Sequence, residues 1–440
     1  MRFTLPAAFL LSLLFLSACS NRDSEENGAT PSLAAASPDA GAAKSGQTPP
    51  STSSGTPVSG ASQHEAKNTI AHIQKLAGEI GARVSGTAGE KQAADYIAAQ
   101  FRASGYNVEI MPFEFEDNPF KAGLVKVGSE DISALVMSGS GSGKATGRAI
   151  YVALADEAGI AGQDLKGAIA VADRGTLNFS VKYVNVKAAG AIGMVVVNNV
   201  DGLYPGNLTR TADFPVVGVA GEDRERLKRV VADKGSITLE VAAKSTGVNV
   251  VARPAAGAAC DVVVGGHHDT VPAVPGATDN ASGAAMTVEL ARAFAADGLD
   301  KGLCFVTFGG EESGLNGSQA LIKQFQVEKH LPRYMVNLDV VATGTTIELI
   351  GDRELQSRAE AIGQKQGSPV HPTVDPANTS SDHASFIQAG IPAIFLAGDD
   401  YSMIHTPNDN LTVVIPKTVE QIGNLAFALI KELQAQVARG

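Results

Sequence analysis

The segment CDVVVGGHHDT sets two of the chain's eight histidines, His267 and His268, beside Asp269 at the end of an apolar run. Other runs end in the same way. FVTFGGEES delivers Glu311 and Glu312, and YMVNLDVV carries Asp339 near its end. Asp279 follows a Pro-Gly loop just before a helical pattern, and His405 lies in the late loop YSMIHTPND. If CDVVVGGH is a strand, its side chains alternate, so His267 and Asp269 share a side while His268 faces the other. His267 is then the ligand candidate, and Asp269 can accept its second ring N–H and orient it. The same parity separates Glu311 from Glu312, so one can hold a metal while its neighbour faces a reacting water. Two imidazoles with several carboxylates suit zinc better than magnesium or calcium, which prefer oxygen-only shells. An acid shared between two ions would make a two-metal site.

Such residues need a scaffold that brings them together. DVVVGG, LCFVTFGG, YMVNLDVV and IPAIFLA are near-continuously apolar, as strands buried on both faces are. Helical patterns such as ASGAAMTVELARAFAADG lie between them. This alternation predicts an α/β fold, a mostly parallel central sheet flanked by helices, with ligands gathered at the carboxyl ends of its strands. Upstream, HEAKNTIAHIQKLAGEIG and GEKQAADYIAAQFRASG predict two helices stopped by glycines, and NVEIMPFEF predicts a strand. From residue 117 to 245 the texture changes to short apolar runs between glycine-rich turns, such as GAIAVAD, GMVVVNN and FPVVGVA. We read a catalytic domain over 63–116 and 246–440, interrupted by a smaller β-rich domain over 117–245.

The chain has 440 residues, 44% of them hydrophobic, which is ordinary globular composition. A formal net charge of -11 argues against nucleic acid as a partner, since no basic stripe is available to neutralise phosphates. Residues 1–18 read as a secretory signal whose apolar segment is too short to span a bilayer. LSAC resembles the lipobox of bacterial lipoproteins, which makes Cys19 the expected lipid anchor and the only membrane contact. The serine that follows it points to the outer membrane if the source is Gram-negative. Residues 19–62, rich in Ser, Pro, Gly, Ala and Thr, are expected to form a flexible tether.

In order, GGHHDTVPAVPGATDNASG, TFGGEESGLNGS, VNLDVV, SDHASFIQAGIPAIF and IHTPNDN resemble the motifs of the secreted two-zinc aminopeptidases, a family that includes bacterial leucyl aminopeptidases. The resemblance covers about residues 64–115 and 246–440. It implies two Zn2+ per chain, one on His267 and Asp339, the other on Glu312 and His405, with Asp279 bridging them. It makes Glu311 the general base, which takes a proton from water and returns it to the leaving amine. It also implies a cis bond between Asp279 and Asn280. The insert resembles a protease-associated domain through LKGAIAVADRGTLNFSVKYVNVKAAGAIGMVVVNN and FPVVGVAGED, and is expected to shape substrate access or partner binding. The likeness fails at the oxyanion. Some members place a tyrosine directly before the last histidine, where this chain has Ile404. Others place one before the Ser-Asp-His, where it has Asn378, which leaves Tyr401 as the nearest substitute.

His64, His72, His330 and His371 lie outside these motifs and are expected to be surface or locally satisfied groups, and His383 a core or loop residue. Cys260 and Cys304 stand at matching distances before His267 and Glu311, and adjacent parallel strands give poor disulfide geometry, so two buried thiols are expected. The reading at this stage is an exported zinc aminopeptidase acting on peptide or protein N-termini. A carboxypeptidase of related fold, a single-zinc glutaminyl cyclase and a non-catalytic binding protein are the alternatives.

Overall fold

The computed structural model describes residues 63–116, 118, 120–299, 302–373 and 380–439. The signal, Cys19, the tether and Asn378 lie outside the described residues. The apolar runs form fifteen described strands: β1 (Asn107–Phe115), β2 (Ala122–Val127), β3 (Glu130–Val136), β4 (Gly143–Tyr151), β5 (Ile169–Asp173), β6 (Gly193–Val197), β7 (Val216–Val219) and β8 (Ser236–Val241), then β9 (Ser245–Arg253), β10 (Cys260–His267), β11 (Gly302–Phe308), β12 (Tyr334–Leu338), β13 (Ile347–Gly351), β14 (Val370–Thr373) and β15 (Ala393–Gly398).

Eight of them make one sheet in the order β1-β9-β11-β10-β12-β15-β13-β14. Its centre, β11-β10-β12-β15, is parallel; β9 joins β11 and β13 joins β15 in antiparallel fashion. β10, β11 and β15 are buried along nearly their whole length, which explains their unbroken apolar sequence. Register sets the site. His267 pairs with Phe308, Gly265 with Asn337, and Leu338 with Leu396, so the segments bearing Glu311 and Asp339 leave the sheet beside His267.

The helix Ala281–Ala295 is buried almost all round, as its mostly small and apolar sequence requires. Asn280 caps it, accepting the Gly283 N–H at 2.7 Å and donating to the Leu338 carbonyl at 2.9 Å. Gly283 permits this approach, because a Cβ there would stand 1.9 Å from that same carbonyl oxygen. The helix start, with Asp279 before it, is thereby pinned to the end of β12. The upstream patterns form a helix over Ala66–Ile73, continued in wider turns through Gln74–Ile80, and a second over Ala88–Ala103.

The insert is a closed barrel, β2-β3-β7-β6-β5-β4-β8. It hangs from the antiparallel ribbon of β1 and β9, whose pairing ends at Phe115 and Ser245. Val125, Ile132, Val195, Val217 and Leu239 share one core of this domain. Tyr183 and Val186, from the helix Phe179–Ala188, belong to its other core.

Cys260 and Cys304 are joined by a disulfide, which corrects the expectation of two buried thiols. That expectation assumed regular parallel pairing. The ladder instead shifts register between Cys260 and Val262, and the two Cα atoms come to 5.5 Å, a separation that a disulfide spans.

Candidate metal centre

Asp279 turns one carboxylate oxygen to each of two histidines. Its Oδ1 lies 3.2 Å from His267 Nε2 and its Oδ2 lies 3.1 Å from His405 Nε2. Asp339 Oδ2 is 3.4 Å from His267 Nε2, and Glu312 Oε2 is 3.1 Å from His405 Nε2. Glu311 Oε2 stands further off, 3.9 Å from His267 Nε2. The bond between Asp279 and Asn280 is cis. The donor atoms of His267, Glu311 and Asp339 fall within 4.8 Å of one another, as do those of His267, Asp279 and Glu312. The buried Asp339 Oδ1 has no protein partner. Nitrogen and carboxylate donors converging in this way fit zinc.

The electrostatics point in the same direction. Burial raises Glu311 well above the carboxylate range and pushes Glu312 up to about 7, and it also raises Asp339. His405 is pushed up to about 11 by its hydrogen bonds to Asp279 and Glu312. Burial opposes charge on His267, yet the carboxylates of Asp339 and Glu311 raise it well above the ordinary value. Four carboxyl groups, Asp279, Glu311, Glu312 and Asp339, share this cavity with two histidines, a donor set in which cations bind.

Four of the five ligand candidates have a support. Asp269 faces His267 Nδ1 with its backbone oxygen at 3.2 Å and Oδ1 at 3.4 Å, and that Oδ1 also accepts the Glu311 N–H at 3.2 Å. Glu312 Oε1 accepts the Val271 N–H at 3.2 Å. Ser381 donates to Asp339 Oδ2 at 2.7 Å and receives a hydrogen bond from Asn337 at 2.7 Å. Asp409, in the same loop as His405, accepts the N–H groups of Thr278 and Asp279 at 2.8 and 3.0 Å. Asn280, Ser381 and Asp409 had no assigned role in the sequence, although all three lie inside the motifs quoted above. A polar residue with no ligand chemistry of its own shows its purpose only through its partners.

His268 points away from the cluster, fully buried; burial pushes it down to about 4, so it is neutral. Tyr401 lines the cavity, but its hydroxyl donates to Glu348 Oε2 at 2.8 Å, so its proton is already engaged. The cavity of about 660 Å³ has apolar walls from Leu315, Val340, Phe395 and Ile404. No Lys or Arg is among its described lining residues. Leu315, Val340 and His405 hold positive φ angles of 59°, 51° and 59°, conformations that in non-glycine residues concentrate at functional sites. His64, His72, His330, His371 and His383 do not line it. His64 bonds Thr69, His72 bonds Tyr96, His330 pairs with Asp261, and His383 packs on Phe395.

Comparison with known proteins identifies the family. Residues 249–430 match Peptidase family M28, and residues 134–227 match the PA domain. Aminopeptidase YwaD of Bacillus subtilis (strain 168) is 31% identical over 399 residues, covering 84% of this chain and 85% of its own. A Mycobacterium tuberculosis protein named "Probable lipoprotein aminopeptidase LpqL" is 28% identical over 319 residues, covering 67% and 63%. The structure of BSAP, a zinc aminopeptidase from Bacillus subtilis, superposes with a TM-score of 0.54 at 28% identity, over 84% of this chain and 95% of that one. The chain belongs to peptidase family M28 and carries a PA domain inserted between two strands of its central sheet.

Proposed function

We propose that the protein is a zinc-dependent aminopeptidase that hydrolyses N-terminal residues from peptides, with two Zn2+ per chain. His267 and Asp339 would hold one ion and Glu312 and His405 the other, with Asp279, which faces both histidines, shared between them. The observation that carries this reading is the two-sided Asp279 carboxylate in a cavity whose described lining has no Lys or Arg. A protonated substrate amine can lie against such a surface, whereas a substrate carboxylate would need an Arg or Lys beside it. The names of YwaD and BSAP point the same way.

Bound zinc supplies a Lewis acid that polarises the scissile carbonyl and acidifies water. Glu311 accepts the water's proton and returns it to the leaving amine nitrogen, a task suited to a carboxyl whose proton affinity burial has raised. Asp269 keeps the His267 ring in place. The apolar wall receives the side chain of the cleaved residue. Ser313, two residues after Glu311, donates to Asn118 Oδ1 at 2.8 Å, which links the strand-to-barrel connection to the site and supports a role for the insert in access. Export and a lipid on Cys19 complete the reading, supported by the name of LpqL. Among the described residues no helix is long and apolar enough to cross a membrane.

The test compares a free peptide with its N-acetylated and C-amidated forms, with zinc measured per chain. Acetylation should abolish cleavage and amidation should leave it. The reverse pattern would make the protein a carboxypeptidase, and a single zinc would contradict the two-ion assignment.

A further inference from the structure

Glu90 lies on the helix Ala88–Ala103, outside every motif that supplies the metal centre, yet its side chain is only 3% exposed. Its Oε2 accepts the Gly86 N–H at 2.7 Å, and its Oε1 accepts the Val248 N–H at 3.2 Å. Oε1 also lies 3.4 Å from Ser85 Oγ. The chain makes room for this carboxyl at Gly309, where a Cβ would stand 2.4 Å from Oε1. Gly309 lies two residues before Glu311.

Ser85 Oγ faces a second acid, Asp269 Oδ2, at 3.2 Å. A hydroxyl carries one proton, so a serine between two carboxyl groups is satisfied only if one acid keeps its own. Burial pushes Glu90 up to about 8, which makes it the protonated member at neutral pH. Ser85 then donates its one proton to Asp269 Oδ2, and the protonated Glu90 carboxyl stands on its other side. The chain continues, because Asp269 Oδ1 accepts the Glu311 N–H and faces His267 Nδ1.

We propose that Glu90 is a positioning residue of this centre: through Ser85 it fixes the Asp269 carboxylate, and through Asp269 it sets both the His267 ring and the backbone of Glu311. Neither Glu90 nor Ser85 touches a proposed ligand, so their effect is transmitted. The kinetic part of this inference rests on the aminopeptidase reading; the zinc part does not.

The experiment uses the full chain in four forms: wild type, Ser85→Ala, Glu90→Ala and the double variant. Zinc affinity is measured by chelator competition, and kcat and KM on an aminoacyl chromogenic substrate at saturating zinc. Each single substitution is expected to raise the zinc dissociation constant about 10-fold or more, the usual size of an outer-shell effect. kcat should fall by a similar factor with KM within about twofold. Since both substitutions cut one chain, the double variant should be no worse than the worse single. Unchanged zinc affinity in both singles, or a double-variant loss equal to the product of the single losses, overturns the proposal. A wild type that binds zinc but cleaves no aminoacyl substrate would sink the aminopeptidase reading, while the zinc comparison would still decide the role of Glu90.

Discussion

Glu311 and Glu312 adjoin in sequence but face different partners: Glu312 Oε2 lies 3.1 Å from His405 Nε2, while Glu311 Oε2 stands 3.9 Å from His267 Nε2. The first geometry suits a ligand and the second a group that works beside the metals. Glu311→Gln is therefore expected to keep both zinc ions and lose roughly 10²-fold or more in kcat, the contribution of a general base. Glu312→Gln should release zinc from the His405 side. Metal content measured beside kcat separates the two, and zinc loss from Glu311→Gln alone would reverse the assignment.

Tyr401 gives a second test at the same cavity. An oxyanion donor removed by mutation costs roughly 10²–10³-fold in kcat. The Tyr401 hydroxyl, however, already donates to Glu348, so it would have to abandon that carboxylate to serve an oxyanion. Tyr401→Phe should thus lower kcat by less than about 10-fold. A larger loss with KM unchanged would show that the Glu348 bond breaks during turnover.

The ligand candidates were legible because their chemistry is written in residue type and in position at strand ends. His267, Asp279, Glu311, Glu312, Asp339 and His405 all reach one cavity. The supports were harder to see. Ser85 and Glu90 lie in GARVSGTAGE, which reads locally as an ordinary helix start; their partners, Asp269 and Val248, are far along the chain. The Cys260–Cys304 bond was missed for a related reason, since strand parity gives facing and height but not a local shift of register.

The disulfide has its own check. Thiol counting on denatured, unreduced protein should find neither Cys260 nor Cys304 free. Replacing both by Ala should cost about 2–4 kcal/mol of unfolding free energy. Two reactive thiols would restore the original expectation.

His64 supplies a pH dependence. It is 5% exposed, and burial pushes it down to about 4 from an ordinary value of 6.5. The unfolded chain therefore takes up this proton first as pH falls, so the folded state loses stability between pH 6.5 and 4 and is unaffected by this group above 6.5. The gap corresponds to about 3 kcal/mol at the acid end. Unfolding free energies of wild type and His64→Asn should diverge in their pH slopes below 6.5, the wild type falling more steeply. Parallel slopes would exclude a buried neutral histidine.

Arg83 is the cation most deeply committed to the site, although it touches no ligand. It is 0% exposed and donates to five carbonyls: His268 and Pro275 at 2.7 Å, Gly276 at 3.0 Å, and Leu76 and Gly81 at 3.2 and 2.7 Å. Its own N–H reaches Thr270 Oγ1 at 2.9 Å. Three of those carbonyls belong to the segment that runs from the end of β10 to Asp279, so the guanidinium fixes the path between the ligands His267 and Asp279. Burial lowers it only to about 10, which leaves it charged at neutral pH. Lysine in its place keeps the charge but cannot reproduce a planar fork with five donors. Arg83→Lys is expected to cost about 3 kcal/mol or more of unfolding free energy, through buried carbonyls left without donors. It should also weaken zinc binding, because Asp279 loses the support of its loop. Stability within about 0.5 kcal/mol of wild type, together with unchanged zinc affinity, would mean that charge alone is needed at this position and that the five-carbonyl geometry does not hold the site.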